Sequence, residues 1–100
     1  MDYQVRMTAA YAPPRTREVS VPTEELTGVL ERDLDLIFKY GQNDFQPQPR
    51  MCSVSIADVI EFNDLLYLVL PTGFEEISQL EYEEFIDLPL EKRRIALLGG

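Results

Sequence analysis

The side chains best equipped for chemistry in this chain are carboxylates. Asp58, Glu61 and Asp64 recur at every third position, Glu75 and Glu76 are adjacent, and Glu81, Glu83 and Glu84 follow closely. Paired carboxylates can serve as general acid and base, and grouped oxygens can hold a hard cation. Neither reading is favoured here. With 18 Asp and Glu in 100 residues, adjacent acids arise by chance, and a solvated helix face accounts for most of them. Asp58, Glu61 and Asp64 lack the turn glycine of a calcium loop. The chain has no His, the commonest general base and metal ligand. Cys52, Ser53 and Ser55 therefore have no His to activate them, and Lys39 and Lys92 read as surface helix charges. Cys52 reads instead as a small buried hydrophobe. A single cysteine excludes an internal disulfide and a multi-cysteine zinc site. Gly28, Gly41 and Gly73 form no phosphate-cradling loop. The expectation is a protein that is not an enzyme and uses no cofactor or metal.

Binding is the remaining class, and charge selects the partner. The net charge is −9, and the span from Asp58 to Glu91 contains no Lys or Arg before Lys92, Arg93 and Arg94 arrive together. Such a surface repels phosphate backbones and anionic lipid and attracts a basic protein. The best reading is a small acidic protein-binding module, with Asp58, Glu61, Asp64, Glu75, Glu76, Glu81, Glu83 and Glu84 as candidate partner-binding residues. A sharper version is a phage- or mobile-element-encoded inhibitor whose carboxylates imitate a phosphate backbone. The alternative is an RNA- or nucleotide-binding module in which Arg6, Arg15, Arg17 and Arg50 join Tyr3, Tyr11 and Phe45 on one face. The longest apolar run, Leu65 to Leu70, is too short to cross a membrane, and Asp2, Gln4 and Arg6 stand where a secretory signal would be apolar. A cytoplasmic protein is expected.

These residues must be positioned by a small set of elements. Tyr3, Val5, Met7, Ala9 and Tyr11 alternate with other residues at the period of a half-buried strand, which Pro13-Pro14 ends. Val19 and Val21 mark a second strand able to pair with it. Thr23 reads as the cap of a helix over 23–39, with Leu26, Val29, Leu30, Leu34 and Ile37 as its apolar stripe. Asp35 and Lys39 are an i,i+4 pair of the favourable polarity. Gly28 inside that helix suggests a close backbone approach, and Gly41 a C-terminal stop. Residues 40–52 read as an irregular loop, a candidate functional segment through Asn43, Asp44 and Phe45, with Phe45 anchoring it to the core. Ser53 to Ile56 reads as a short strand or strand-like turn. Asn63-Asp64, which tolerate positive φ, join two apolar runs as a hairpin, and the run Leu65–Leu70 reads as a central strand covered on both faces. Phe74 and Ile77 extend one further edge. Ser78 and Glu81 form a capping box ahead of Tyr82, Phe85 and Ile86. Pro89 opens a last helix through Leu98, whose Leu90, Ile95, Leu97 and Leu98 could form a homodimer contact. Gly99-Gly100 reads as a frayed end.

The segments Gly41-Gln42-Asn43-Asp44-Phe45-Gln46-Pro47, Ser53-Val54-Ser55-Ile56-Ala57-Asp58-Val59-Ile60, Tyr67-Leu68-Val69 and Gly73-Phe74 resemble a family of short uncharacterised bacterial and phage or plasmid proteins. The resemblance covers residues 3–77. It implies a strand, a helix, an Asn-containing loop, a Ser-Val-Ser-x-Gly-Asp-Val-Ile segment and a closing hairpin, and it implies no activity. This chain departs from the pattern at Ala57, where Gly is the familiar residue, which argues against a positive-φ turn there. Together the readings predict one α+β domain over 1–100. It has a core in 3–77 and a helical segment at 78–98 that covers a sheet edge or projects as an acidic arm. A mixed or mainly antiparallel sheet of four to five strands packs on one main helix, with Val5, Met7, Val19, Val21, Leu26, Val29, Leu30, Leu34, Ile37, Val59, Leu66, Leu68 and Leu70 as its core.

Overall fold

The computed structural model describes residues 1–46 and 51–98. Five strands, β1 (Asp2–Met7), β2 (Arg15–Ser20), β3 (Val59–Phe62), β4 (Leu65–Leu70) and β5 (Gly73–Ile77), form one sheet in the order β2-β1-β3-β4-β5. Every neighbouring pair is antiparallel. Among the described residues, three α-helices complete the α+β fold: α1 (Leu30–Tyr40), α2 (Gln79–Ile86) and α3 (Leu90–Leu98).

Strand alternation divides the interior into two layers. Tyr3, Val5 and Met7 of β1, Val19 of β2, Ile60 of β3 and Tyr67 and Val69 of β4 turn to one face, where Leu34 and Ile37 of α1 cover them. Val59, Leu66, Leu68 and Ile77 turn to the other face and meet Tyr82 and Phe85 of α2. Covering both faces explains why β4 reads as an unbroken apolar run. The α2 part of the C-terminal helical segment therefore neither caps an edge nor projects as an arm: it lies on the second face of the sheet.

The main helix is shorter than its sequence suggests. Thr23–Glu25 is a single 3-10 turn preceded by Pro22, with no side-chain cap, and α1 starts only at Leu30. Gly28 sits between them at φ 79°, with nothing within 4 Å of where a Cβ would be, so it serves a left-handed turn and not a close approach. Asp33 holds the break by accepting from the Thr27 N–H and hydroxyl and from the Gly28 N–H at 2.8–3.0 Å. Those donors hold its carboxyl below the usual carboxylate range, the Thr27 N–H foremost. The break rotates Val29 and Leu30 out of the stripe, leaving them 51% and 42% exposed. Leu26 and Leu70, also expected in the core, are partly buried at its margin.

Three other elements differ from expectation. β1 ends at Met7, and Ala9 and Tyr11 fall in the turn and loop that follow. Ser53–Ile56 forms no strand. Ser55 to Asp58 is instead a turn, closed by the Asp58 N–H on the Ser55 carbonyl at 3.1 Å, with Ala57 at φ 79°. The Ala57 N–H bonds the Val69 carbonyl, and the Val69 N–H bonds the Asp58 carbonyl, both at 2.9 Å. Two residues thus oppose one across the ladder, the pattern of a β-bulge whose first residue is ordinarily Gly. The positive-φ turn is present although Ala occupies it. The Asn63-Asp64 hairpin has φ of 50° and 66°, as its sequence implies. Gly99-Gly100 and residues 47–50, with the part of the loop they form, lie outside the described residues.

Candidate functional site

Glu31, Asp35, Glu75, Glu76, Glu81 and Glu84 lie around the edge of the sheet at β5. Val69 directs both main-chain groups toward Ala57 and Asp58 on the β3 side. Main-chain groups alternate along a strand, so Leu68 and Leu70 direct theirs toward β5, where they face Glu75 and Gly73. Phe74 and Glu76 therefore point their N–H and C=O groups away from the sheet. Among the described residues no strand lies beyond β5.

A cleft flanks this edge on each face of the sheet. On the α1 side, a cleft of about 460 Å³ is floored by Phe38, Ile56, Val69 and Phe74 and rimmed by Glu31 and Asp35 of α1. On the α2 side, a cleft of about 320 Å³ is floored by Leu68, Ile77, Phe85 and Leu88 and rimmed by Glu75, Glu81 and Glu84. Among the described residues no Lys or Arg lines either cleft. Glu76 adds a further carboxylate on the α1 side, where it faces Tyr67 across the ladder. Burial, and then this charge, push the Tyr67 hydroxyl above its usual pKa. Glu31 and Asp35 are four apart on one helix face, a mildly repulsive like-charge pair, and on its other side Asp35 shares a shallow groove with Arg32 and Lys39. Apolar floors with carboxylate rims suit long cationic side chains, whose stems cover the floor while their heads reach the rim.

The other sequence-derived candidates are dispersed. Asp58 is 1% exposed and accepts from Ala9 N–H at 2.9 Å and Ser55 N–H at 2.8 Å, so it holds the bulge and offers no carboxylate to a partner. Glu61 pairs with Arg6 at 2.6 Å beneath α2. Asp64 occupies the β3–β4 hairpin turn, at the other end of β4 from the β5 turn. Glu75 and Glu76 point to opposite faces, as adjacent strand residues must. Glu81 accepts from Ser78 N–H within the capping box while lining its cleft, and Glu83 is exposed on α2. Glu31 and Asp35 escaped sequence reading because they lie far from the base-free span. Their i,i+4 spacing was the available signal.

Among the described residues, neither the loop nor the arginines form a second surface. Asn43 is a latch: it accepts from Arg17 at 2.7 Å and donates to the Met51 carbonyl at 3.0 Å. Asp44 is exposed. Phe45 is 51% exposed and rests edge-on against Tyr40, so it does not anchor the loop in the core. The Lys39 ammonium lies 5.5 Å from the Phe45 ring. Cys52 is exposed, contrary to its reading as a buried hydrophobe. Arg17 is fully buried, donating to Asn43 and to the Cys52 and Gln46 carbonyls. Burial pulls its guanidinium below the usual value, against the opposing charges of Tyr11 and Asp58. Arg6 turns to the α2 side beneath Tyr82, and Arg15 lies over Tyr11. Tyr3 is buried in the core, and Arg50 lies outside the described residues. Arg15, Arg17 and Tyr3 turn to the same face of the sheet, but Arg17 and Tyr3 are buried there and Arg6 turns to the other face, so among the described residues these side chains form no joint exposed surface. On α3, Ile95 is 62% exposed. Among the described residues no helix is long and apolar enough to cross a membrane, and no three His, Cys, Asp or Glu side chains group as metal ligands.

No family model, curated protein or solved structure matches this chain.

Proposed function

We propose that this chain is a small non-enzymatic protein-binding module that engages a basic protein through the acidic surface around β5. The observation that carries this reading is the pair of clefts on either side of β5, rimmed by Glu31 and Asp35 on one face and Glu75, Glu81 and Glu84 on the other, with no basic residue among the described residues of either lining. The net charge of −9 supports attraction of a basic partner over long distances. In the sharper form the module is a phage- or mobile-element-encoded inhibitor that occupies the nucleic-acid-binding surface of its target. An interface of this kind weakens as salt rises, because its attraction is between partly solvated charges.

The test compares the tagged parent with a variant carrying Glu31→Gln, Asp35→Asn, Glu75→Gln and Glu84→Gln, with matching thermal melts to establish that both are folded. Each is used to capture protein from native lysate at low and high salt, read by mass spectrometry. A basic protein retained by the parent at low salt, released at high salt and lost by the variant supports the reading. Equal capture by both proteins, or capture that salt does not weaken, overturns it.

A further inference from the structure

We infer that β5 is a docking edge that takes an extended Arg- or Lys-rich segment of the partner as a sixth strand. The inference rests on the reading that the partner is a basic protein and specifies how it is held. Three observations converge on it. Phe74 and Glu76 direct their main-chain groups outward, and among the described residues β5 ends the sheet. An extended peptide added there gains main-chain hydrogen bonds, while its side chains alternate between the two faces of the sheet. Each face offers those side chains a cleft directly beside the edge, with an apolar floor and an acidic rim.

The sign of the charge defines the occupant. Glu75 and Glu76 stand in the middle of β5, and Glu31, Asp35, Glu81 and Glu84 surround it. Charges on an edge strand keep it from pairing with neutral or like-charged strands, including its own copies. A strand with Arg or Lys side chains meets the opposite condition. Its cations offset the repulsion between Glu31 and Asp35, and its methylene stems cover Phe38 and Phe74 on one face or Leu68 and Phe85 on the other. The five residues of β5 set the length of the paired segment, roughly 17 Å of extended chain.

The opposite edge is treated differently. At β2 the Gln46 side-chain amide donates to the Ser20 carbonyl and accepts from the Ser20 N–H at 2.8 Å, so a side chain occupies the place of a pairing strand. Among the described residues no side chain does this for Phe74 or Glu76.

The experiment uses the full chain and a capped peptide of alternating Arg and Val, about seven residues long to span the edge, together with the same peptide N-methylated at alternate positions. Binding is read by fluorescence anisotropy, and amide exchange of Phe74 and Glu76 by NMR. The parent is expected to bind the plain peptide and to lose about tenfold or more in affinity for the methylated one. The two amides should exchange at least about tenfold more slowly in the complex. Glu76→Pro should reduce binding by a similar factor, since its N–H faces outward and bonds nothing among the described residues, whereas Glu76→Gln should cost only about twofold to threefold. Equal affinity for both peptides with unchanged exchange, but with salt-sensitive binding, overturns strand addition and leaves the acidic docking surface standing. Failure to bind either peptide overturns both readings. Sedimentation showing that the parent alone self-associates with protected Phe74 and Glu76 amides overturns the inference in favour of a second copy as occupant.

Discussion

A Cβ on Gly41 would lie 2.4 Å from Val54 Cγ2, and the Gly41 carbonyl accepts from the Val54 N–H at 3.1 Å. Gly41 has φ −76°, so it ends α1 without the left-handed turn for which glycine usually serves there. Its role is to let the segment after the 41–52 loop press against the helix end.

Gly41→Ala should therefore destabilise the protein by about 1–3 kcal/mol through overpacking. Val54→Ala alone should cost roughly 2 kcal/mol for the lost buried side chain. The double variant should be more stable than the sum of the two losses predicts, because the smaller residue at 54 vacates the space that the new methyl needs. Urea unfolding of the four proteins measures this coupling, and strict additivity would show that the two residues do not compete for space.

Ala57 carries backbone strain that a glycine would relieve. An L-residue in the left-handed region costs about 1–2 kcal/mol. Removing the methyl also loses about 0.8 kcal/mol of burial and adds roughly 0.5–1 kcal/mol of unfolded-chain freedom. Ala57→Gly should thus remain within about 1 kcal/mol of the parent. Ala57→Val, β-branched at φ 79° in a fully buried site, should lose about 3 kcal/mol or more. Equal stability of the two variants in urea would remove the bulge geometry as the explanation.

Asp33 supplies a pH dependence whose direction follows from its hydrogen bonds. Its folded pKa is depressed, chiefly by the Thr27 N–H. The contribution is fully present above the unfolded value of about 3.9 and is lost as pH falls through the lower folded value. Asp33→Asn should reduce stability at neutral pH and flatten its acid dependence, so that parent and variant converge as pH falls below about 4. A difference that is constant across that range would argue against the carboxylate.

The sequence made short-period patterns legible and long-range ones obscure. Alternation from Tyr3 to Met7 and around Val19, the Asn63-Asp64 turn and the Ser78 capping box are set by neighbours a few residues apart and appear where those rules put them, while the alternation at Ala9 and Tyr11 does not extend the strand. The apolar stripe of 23–39 misled because Asp33 competes for the backbone N–H groups of Thr27 and Gly28. A buried carboxylate inside a helical pattern looks the same as a solvated one. The candidate site was half legible. Glu75, Glu81 and Glu84 belonged to an evident acidic span, but Asp58 in that span is a structural ligand of backbone N–H groups, and Glu31 and Asp35 join the site only because α1 crosses the sheet.

Arg93 shows the same limit and carries a further prediction. Within Lys92-Arg93-Arg94 nothing local marks it as different, yet it is 2% exposed. Its guanidinium donates to the Leu88 carbonyl at 3.0 Å, the Thr8 carbonyl at 2.7 Å, the Tyr11 carbonyl at 3.3 Å and the Ile86 carbonyl at 2.6 Å. One side chain therefore ties α3 and the end of α2 to the chain leaving β1. Arg93→Met keeps the apolar stem and removes every donor, leaving the buried Thr8 carbonyl without this partner. The cost should be about 3 kcal/mol. Arg93→Lys should recover little of it, because an ammonium cannot reproduce the planar fork that reaches carbonyls on separate segments. Lys92→Met, at an exposed position on the same helix, should shift stability by less than about 0.5 kcal/mol. Hydrogen exchange should show α3 opening in Arg93→Met ahead of the sheet. If Arg93→Met and Lys92→Met unfold at the same urea concentration, the guanidinium does not hold the C-terminal helix in place.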